Sequence, residues 1–195
     1  MSAPRVTEIL RAVGLSLDYA RLIPADKLLL LRQRGTALHR AIELLDRGTL
    51  DLPTVHEAIL PGLEAYQAWA KDVGHEPLAS EVALTHSAWG FTGHPDRVGL
   101  VNGEPAVVDW KYTDSPDLRG GKYQLAAYKM LVNDWEGAGP PWPGVRIHET
   151  YLVALSPKTG TYKMHRLTDP NADQVFQAAV ILYHALQEGA PNGHD

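Results

Sequence analysis

The sequence predicts an α/β (α+β) fold, a central mixed β-sheet flanked by helices, and three observations carry the prediction. Helical periodicity dominates the first 75 residues, alternation with a period of two takes over from Leu78, and the chain then runs helix, hairpin, helix to its end. With 195 residues, 45% of them apolar, the chain can bury a substantial core, most economically as one domain. Residues 1–75 would supply N-terminal helices, 78–132 a strand meander and a helix, and 146–188 a hairpin and a closing helix.

Val6 to Val13 reads as a short helix, followed by a looser segment that closes at Pro24. Ala25 to Arg47 is a strong helical pattern, because Leu28, Leu31, Leu38, Ile42 and Leu45 recur at three- and four-residue intervals and Gly48 stops it. Gly35 lies inside that helix at a cost of about 1 kcal/mol against alanine, which implies either a break or a close packing partner there. Pro53 to Val73 forms a further helix with Ile59, Leu63 and Tyr66 on one stripe. Three strands follow, roughly 79–88, 91–101 and 105–113, as an antiparallel meander whose second turn is Asn102-Gly103, the type I′ pair. Leu118 to Val132 is helical again, and Asn133 to Gly144, rich in Gly and Pro, is a loop. Ile147 to Leu155 and Thr161 to Leu167 form a hairpin joined at SPKTG, and Ala172 to Glu188 is an amphipathic helix.

Composition removes several classes of function. There is no cysteine, so disulfides, cysteine-held zinc and iron–sulfur clusters are excluded, and nothing points to an oxidising compartment. No apolar run approaches the roughly 20 residues that would span a bilayer, and the N-terminus lacks a signal-peptide core, so a cytoplasmic protein without membrane contact is expected. A formal net charge of −5 argues against coating nucleic acid by bulk attraction, so any contact with phosphates must be local.

The residues with chemical potential cluster in the meander. Asp96 precedes one apolar run, and Ala106, Val107 and Val108 lead into Asp109, Trp110 and Lys111. Strand alternation puts Asp109 and Lys111 on one face, so a strand ends by presenting a carboxylate beside an amine. Carboxylates suit hard cations such as Mg²⁺, and a lysine can orient or help deprotonate an attacking water or stabilise developing negative charge. That combination fits hydrolysis of a phosphodiester, although Asp-x-Lys alone is more often a surface ion pair at a strand end. His39 and Glu43 share a helical face, and His39 could enter a metal site as a neutral imidazole. Glu81 is a charge on a strand of Val and Leu, where an unpaired carboxylate is costly. Gln124 and Tyr128 lie four apart on the helix that follows Lys111, facing the same cleft.

In this order G-T-x-x-H-x-x-x-E from Gly35, the glutamate Glu81, G-x-x-D ending at Asp96, D-x-K from Asp109 and Q-x-x-x-Y from Gln124 resemble the RecB-like, Cas4-like branch of the PD-(D/E)XK nuclease superfamily. The resemblance runs from Gly35 to Tyr128 and implies a restriction-endonuclease-like core. It implies Mg²⁺ or Mn²⁺ held by His39, Asp96, Asp109 and the backbone carbonyl of Trp110, with Lys111 as the catalytic lysine and Glu81 as an accessory acid. Gln124 and Tyr128 would position the phosphate backbone or the lysine. Lacking the four cysteines of Cas4 proteins, the chain is more similar to the compact phage or mitochondrial exonucleases.

Basic residues surround this acidic centre. Arg97 follows Asp96, and Arg119 with Lys122 opens the Gln124 helix, whose N-terminus adds backbone donors for phosphate. Trp89, Trp110 and Trp135 are either core residues or stacking surfaces for bases, and WEGAGPPW, 135–142, is a candidate guiding loop. The expected function is a metal-dependent exonuclease on single-stranded DNA or DNA ends in recombination, repair or phage replication, with a recombination or replication protein as a possible partner. An endonuclease with the same site, a silent DNA-binding or assembly module, and a hydrolase of small phosphorylated compounds are the alternatives; the last lacks a GxxxxGK[ST] loop.

Overall fold

The computed structural model describes residues 3–135 and 146–188, so the WEGAGPPW loop past Trp135 lies outside the described residues. The helices are α1 (Val6–Ala12), α2 (Tyr19–Leu22), α3 (Ala25–Asp46), α4 (Leu60–Asp72), α5 (Leu118–Asn133) and α6 (Ala172–Glu188). The strands are β1 (Glu76–Ser80), β2 (Leu84–Thr85), β3 (Thr92–Gly93), β4 (Arg97–Val101), β5 (Glu104–Tyr112), β6 (Glu149–Leu155) and β7 (Tyr162–Arg166). Five of them form one sheet in the order β1-β4-β5-β6-β7. Pairing is antiparallel except between β5 and β6, which run parallel because α5 carries the chain back across the sheet between them. The mixed sheet flanked by helices is the architecture expected of a restriction-endonuclease-like core.

Alternation along β5 divides the core in two. Val107 packs with α1, α5 and α6 in one apolar layer. Ala106, Val108 and Trp110 pack with α3 and α4 in the other. Asp109 and Lys111, offset by one residue from Trp110, therefore project toward α5. The β4–β5 turn is built as its sequence demands, with Asn102 at φ 53° and Gly103 at φ 79°, the two left-handed positions of a type I′ turn.

Three expectations are corrected. The helix expected from Pro53 is broken into 3₁₀ turns at Leu52–Thr54 and Glu57–Ile59 before α4 begins. The His56 side chain accepts from the Ala58 N–H at 3.1 Å, a local alternative to the helical bond, and Pro61 then starts α4, where a missing N–H costs nothing. The three-strand meander is also interrupted. β2 and β3 split off as a separate two-stranded pair, and β4 starts only at Arg97, past Pro95, which cannot donate to a ladder. Glu81 is consequently not on a strand: it follows β1 at φ 48°, its N–H reaching the Asp96 carbonyl at 3.3 Å. Finally, α3 passes unbroken through Gly35, and a Cβ there would meet nothing within 4 Å. The glycine that permits close helix packing is Gly62 of α4, where a Cβ would stand 2.6 Å from Leu38 Cδ2 and 2.7 Å from Tyr112 Cε2.

Candidate active site

Three elements meet at the C-terminal end of β5. α3 brings His39, the turn after β1 brings Glu81, and the residue before β4 brings Asp96. His39 Nδ1 lies 3.3 Å from Glu81 Oε1 and 3.5 Å from Asp96 Oδ1. One donor atom from each of these residues fits within 4.8 Å of the others, a spacing that can hold a metal ion. The second Asp96 oxygen accepts the Trp110 N–H at 2.8 Å. In an extended strand the N–H and C=O of one residue point to the same edge, so the Trp110 carbonyl also faces Asp96. The pairing of β4 with β5 ends at Val108, which leaves that edge of Trp110 to the site. An imidazole with two carboxylates and a carbonyl is an oxygen-rich donor set suited to a hard divalent cation of the magnesium or manganese type.

Beside this cluster stands a second one. Lys111 Nζ lies 2.7 Å from Asp109 Oδ2 and 3.4 Å from Gln124 Oε1. Gln124 Nε2 donates to Asp109 Oδ1 at 3.2 Å and to the Tyr128 hydroxyl at 2.9 Å. One amide thus fixes the carboxylate, the lysine and the tyrosine together. The structure brings His39, Glu81, Asp96, Trp110, Lys111, Asp109, Gln124 and Tyr128 to one region, with His39, Glu81 and Asp96 forming the metal-capable group and Asp109 beside it. The 1%-exposed Asp109 carboxylate is occupied by Lys111 and Gln124.

Electrostatics follow from this packing. Burial disfavours a charged His39, but Asp96, Glu81 and Asp109 outweigh it and push the imidazole from 6.5 to about 9. Burial raises Asp109 to about 6, with Asp96 adding to the rise and Lys111 opposing it. Burial opposes the Lys111 charge as well, yet Asp109 and Asp96 more than compensate, so its pKa is raised and it remains an ammonium at neutral pH. Tyr128 is raised first by burial and then by the same two carboxylates, and stays a phenol.

A pH dependence of the metal-free protein follows. A folded pKa above the unfolded one contributes stability that is complete below the unfolded value and lost as pH rises through the folded value. For His39 that loss spans pH 6.5 to about 9, and for Asp109 about 4 to 6. Thermal melts in EDTA should therefore fall in two steps across these windows, and His39→Gln should remove the upper step while sparing the lower one. An unchanged upper step in the variant would assign it to another group.

Several expected contacts are not available for nucleic acid. Arg97 is 2% exposed, paired with Asp46 and Ser80 and stacked 5.2 Å above the Trp110 ring, so it braces the protein instead of facing the cleft. It directly follows Asp96, yet its guanidinium lies against Asp46 and the Trp110 ring, while the Asp96 carboxylate meets the Trp110 N–H and His39. Lys122 is paired with Asp169 at 2.9 Å. The N-terminus of α5 is capped by Asp117, whose carboxylate accepts from Gly120 N at 2.9 Å and so occupies one of the donors expected to meet phosphate. Arg119 is exposed at that helix start. Trp110 is 3% exposed and belongs to the core, in edge contact with His39, Tyr66 and Trp69, while Trp89 and Trp135 pack partly buried against the other layer. Glu43 is held by Arg40 and Arg47. A cavity of about 480 Å³ opens over the cluster, lined by His39, Arg40, Glu81, Asp96 and Lys111, with Gly35 on its wall.

The residue least visible to sequence reasoning was Asp46, whose carboxylate receives both Arg97 and the Tyr66 hydroxyl, the latter at 2.6 Å. At the end of α3 it reads as an ordinary solvated acid. Among the described residues no helix is long and apolar enough to cross a membrane.

No curated protein sequence matches the chain. Among solved structures, the crystal structure described as "Putative exonuclease" from Eubacterium rectale superposes with a TM-score of 0.53 at 14% identity, over 78% of this chain. This chain spans 65% of that protein's length. A structure described as SSO0001 matches at a TM-score of 0.38 and 15% identity, over 82% of this chain and 73% of its own. The family profile of the PD-(D/E)XK nuclease superfamily matches residues 15–192, nearly the whole chain and all of the site residues described above. With that match and a five-stranded mixed sheet that ends in Asp109 and Lys111, this chain belongs to the PD-(D/E)XK nuclease superfamily.

Proposed function

We propose that this chain is a divalent-metal-dependent deoxyribonuclease, an exonuclease that hydrolyses phosphodiester bonds of single-stranded DNA or DNA ends in recombination, repair or phage replication. The observation that carries the reading is the convergence of the His39, Glu81 and Asp96 donors with the Lys111–Asp109–Gln124 cluster at one strand end. His39, Glu81, Asp96 and the Trp110 carbonyl would hold Mg²⁺ or Mn²⁺, with Asp109 as the further carboxylate. When bound, the cation neutralises phosphate charge and makes its water more acidic.

The protein's own groups supply the rest. Lys111, kept protonated by two carboxylates, serves as a charge and hydrogen-bond donor to the water or the phosphate, a role for which it needs no deprotonation. Gln124 holds Lys111 and Asp109 in register, and Tyr128 holds Gln124. The crystal neighbour described as "Putative exonuclease" is in keeping with the choice of exonuclease, as is the similarity to compact, cysteine-free members of the branch that includes phage and mitochondrial exonucleases.

The reading is tested by incubating end-labelled linear and covalently closed circular single strands with Mg²⁺, Mn²⁺ or EDTA. Metal-dependent loss of the linear strand with the circle intact is the expected result. Cutting of the circle would make the enzyme an endonuclease, and no cleavage of either would leave a DNA-binding or assembly module.

A further inference from the structure

A second cavity, of about 260 Å³, shares Lys111 and Gln124 with the site and is otherwise walled by α1, the segment before α2, and the start of α5. Its wall is mostly apolar: Leu10, Leu17, Tyr19 and Pro116 contribute side chains to it. Leu17 and Tyr19 are 48% and 40% exposed, large apolar surfaces left open among the described residues. The wall is also fixed in place. One Asp117 oxygen accepts from Leu17 N at 3.1 Å, 100 residues away in sequence, while the other caps α5 through Gly120 N. Asp117, Arg11 and Lys111 also line the cavity, so its polar rim offers an acceptor to N–H donors on the edge of a neutral ring and cations to an adjoining phosphate.

Building on the nuclease reading above, we propose that this cavity is a nucleobase subsite. It takes one unpaired base of the strand whose phosphate is engaged at Lys111, with Tyr19 and Leu17 against the ring and Asp117 accepting from the base edge. Pockets for drug-sized ligands run to roughly 300–1,000 Å³, so this smaller one suits a single base and not a base pair. In a duplex the base faces are stacked and their edges paired, which leaves nothing to enter. The subsite thus selects unpaired strands at the point of cleavage, next to the phosphate-handling lysine.

Binding is the test, because it reads the subsite without relying on turnover. Anisotropy in Ca²⁺ would be measured with labelled single-stranded oligonucleotides of about six nucleotides, each carrying one abasic position in turn. The wild type should lose about tenfold in affinity when one particular position is abasic, the loss expected for one base–side-chain stack. Tyr19→Ala should bind the intact oligonucleotide about tenfold more weakly and show a flat scan, whereas Tyr19→Phe should keep the wild-type profile. A flat scan in the wild type, or a position-dependent loss that persists in Tyr19→Ala, overturns the subsite. Metal-dependent cleavage by the same preparation separates the two readings: cleavage with a flat scan removes the subsite alone, and a position-dependent scan without cleavage removes the nuclease reading alone. No binding at all removes both.

Discussion

Replacing Lys111 with alanine should lower the rate of DNA cleavage by roughly 10²–10⁴-fold, the range for loss of one positioned proton-transfer or charge-stabilising group, while leaving the fold nearly intact. Its side chain is 35% exposed, so truncation opens no core cavity. The ammonium sits 2.7 Å from Asp109 and 3.4 Å from the Gln124 amide oxygen, which aim it at the cavity above His39, Glu81 and Asp96. A charge held in place beforehand costs no reorganisation when negative charge develops on the phosphate. Single-turnover kinetics on an end-labelled single strand, with thermal melts of both proteins, would measure the effect. A variant within about threefold of the wild-type rate would remove Lys111 from the chemistry.

Breaking the Arg97–Asp46 pair should cost about 3–5 kcal/mol of stability, the penalty for leaving one partner of a buried ion pair uncompensated. Arg97 is 2% exposed, and its guanidinium reaches Asp46 and Ser80 while lying over Trp110. The Asp46 side chain is 15% exposed and also receives Tyr66. The pair ties the end of α3, the helix that carries His39, to the start of β4, which follows Asp96, so it holds two metal-capable residues at a fixed separation. Arg97→Ala and Asp46→Ala should each lower the urea midpoint with little change in the denaturant slope. The double variant should cost less than the sum of the two, because no lone charge remains buried. A stable Arg97→Ala variant with weakened DNA binding would instead return Arg97 to the phosphate-contacting role that its place beside Asp96 suggested.

Arg97 shows why part of the site was illegible in the sequence. Beside Asp96 it looked like a cation near an acidic centre, and only the burial of β4 against α3 and α4 makes it an internal brace. Its partner lies 51 residues away, and no periodicity links the two. Glu81 is a related case. The sequence shows it as a costly charge in an apolar segment that alternates like a strand, but not its approach to His39. The left-handed conformation that ends β1 there depends on where β4 starts, hence on Pro95 and on pairing between strands. The same holds for Lys122 and the α5 N-terminus, where Asp169 and Asp117 reached the donors first.

The sequence by itself determined what depends on neighbours a few residues apart. Asn102 and Gly103 made the turn into β5, alternation put Asp109 beside Lys111, and helical spacing put Gln124 four residues from Tyr128. These are properties of single elements, set by backbone geometry that repeats every two or 3.6 residues. Only the tertiary structure decided which polar groups face each other across elements: His39 with Glu81 and Asp96, Arg97 with Asp46, Asp117 with the Leu17 N–H. Such pairs are fixed by how the apolar faces of the helices seat on the sheet and by the register of β4 against β5, which sets the face on which Arg97 lies.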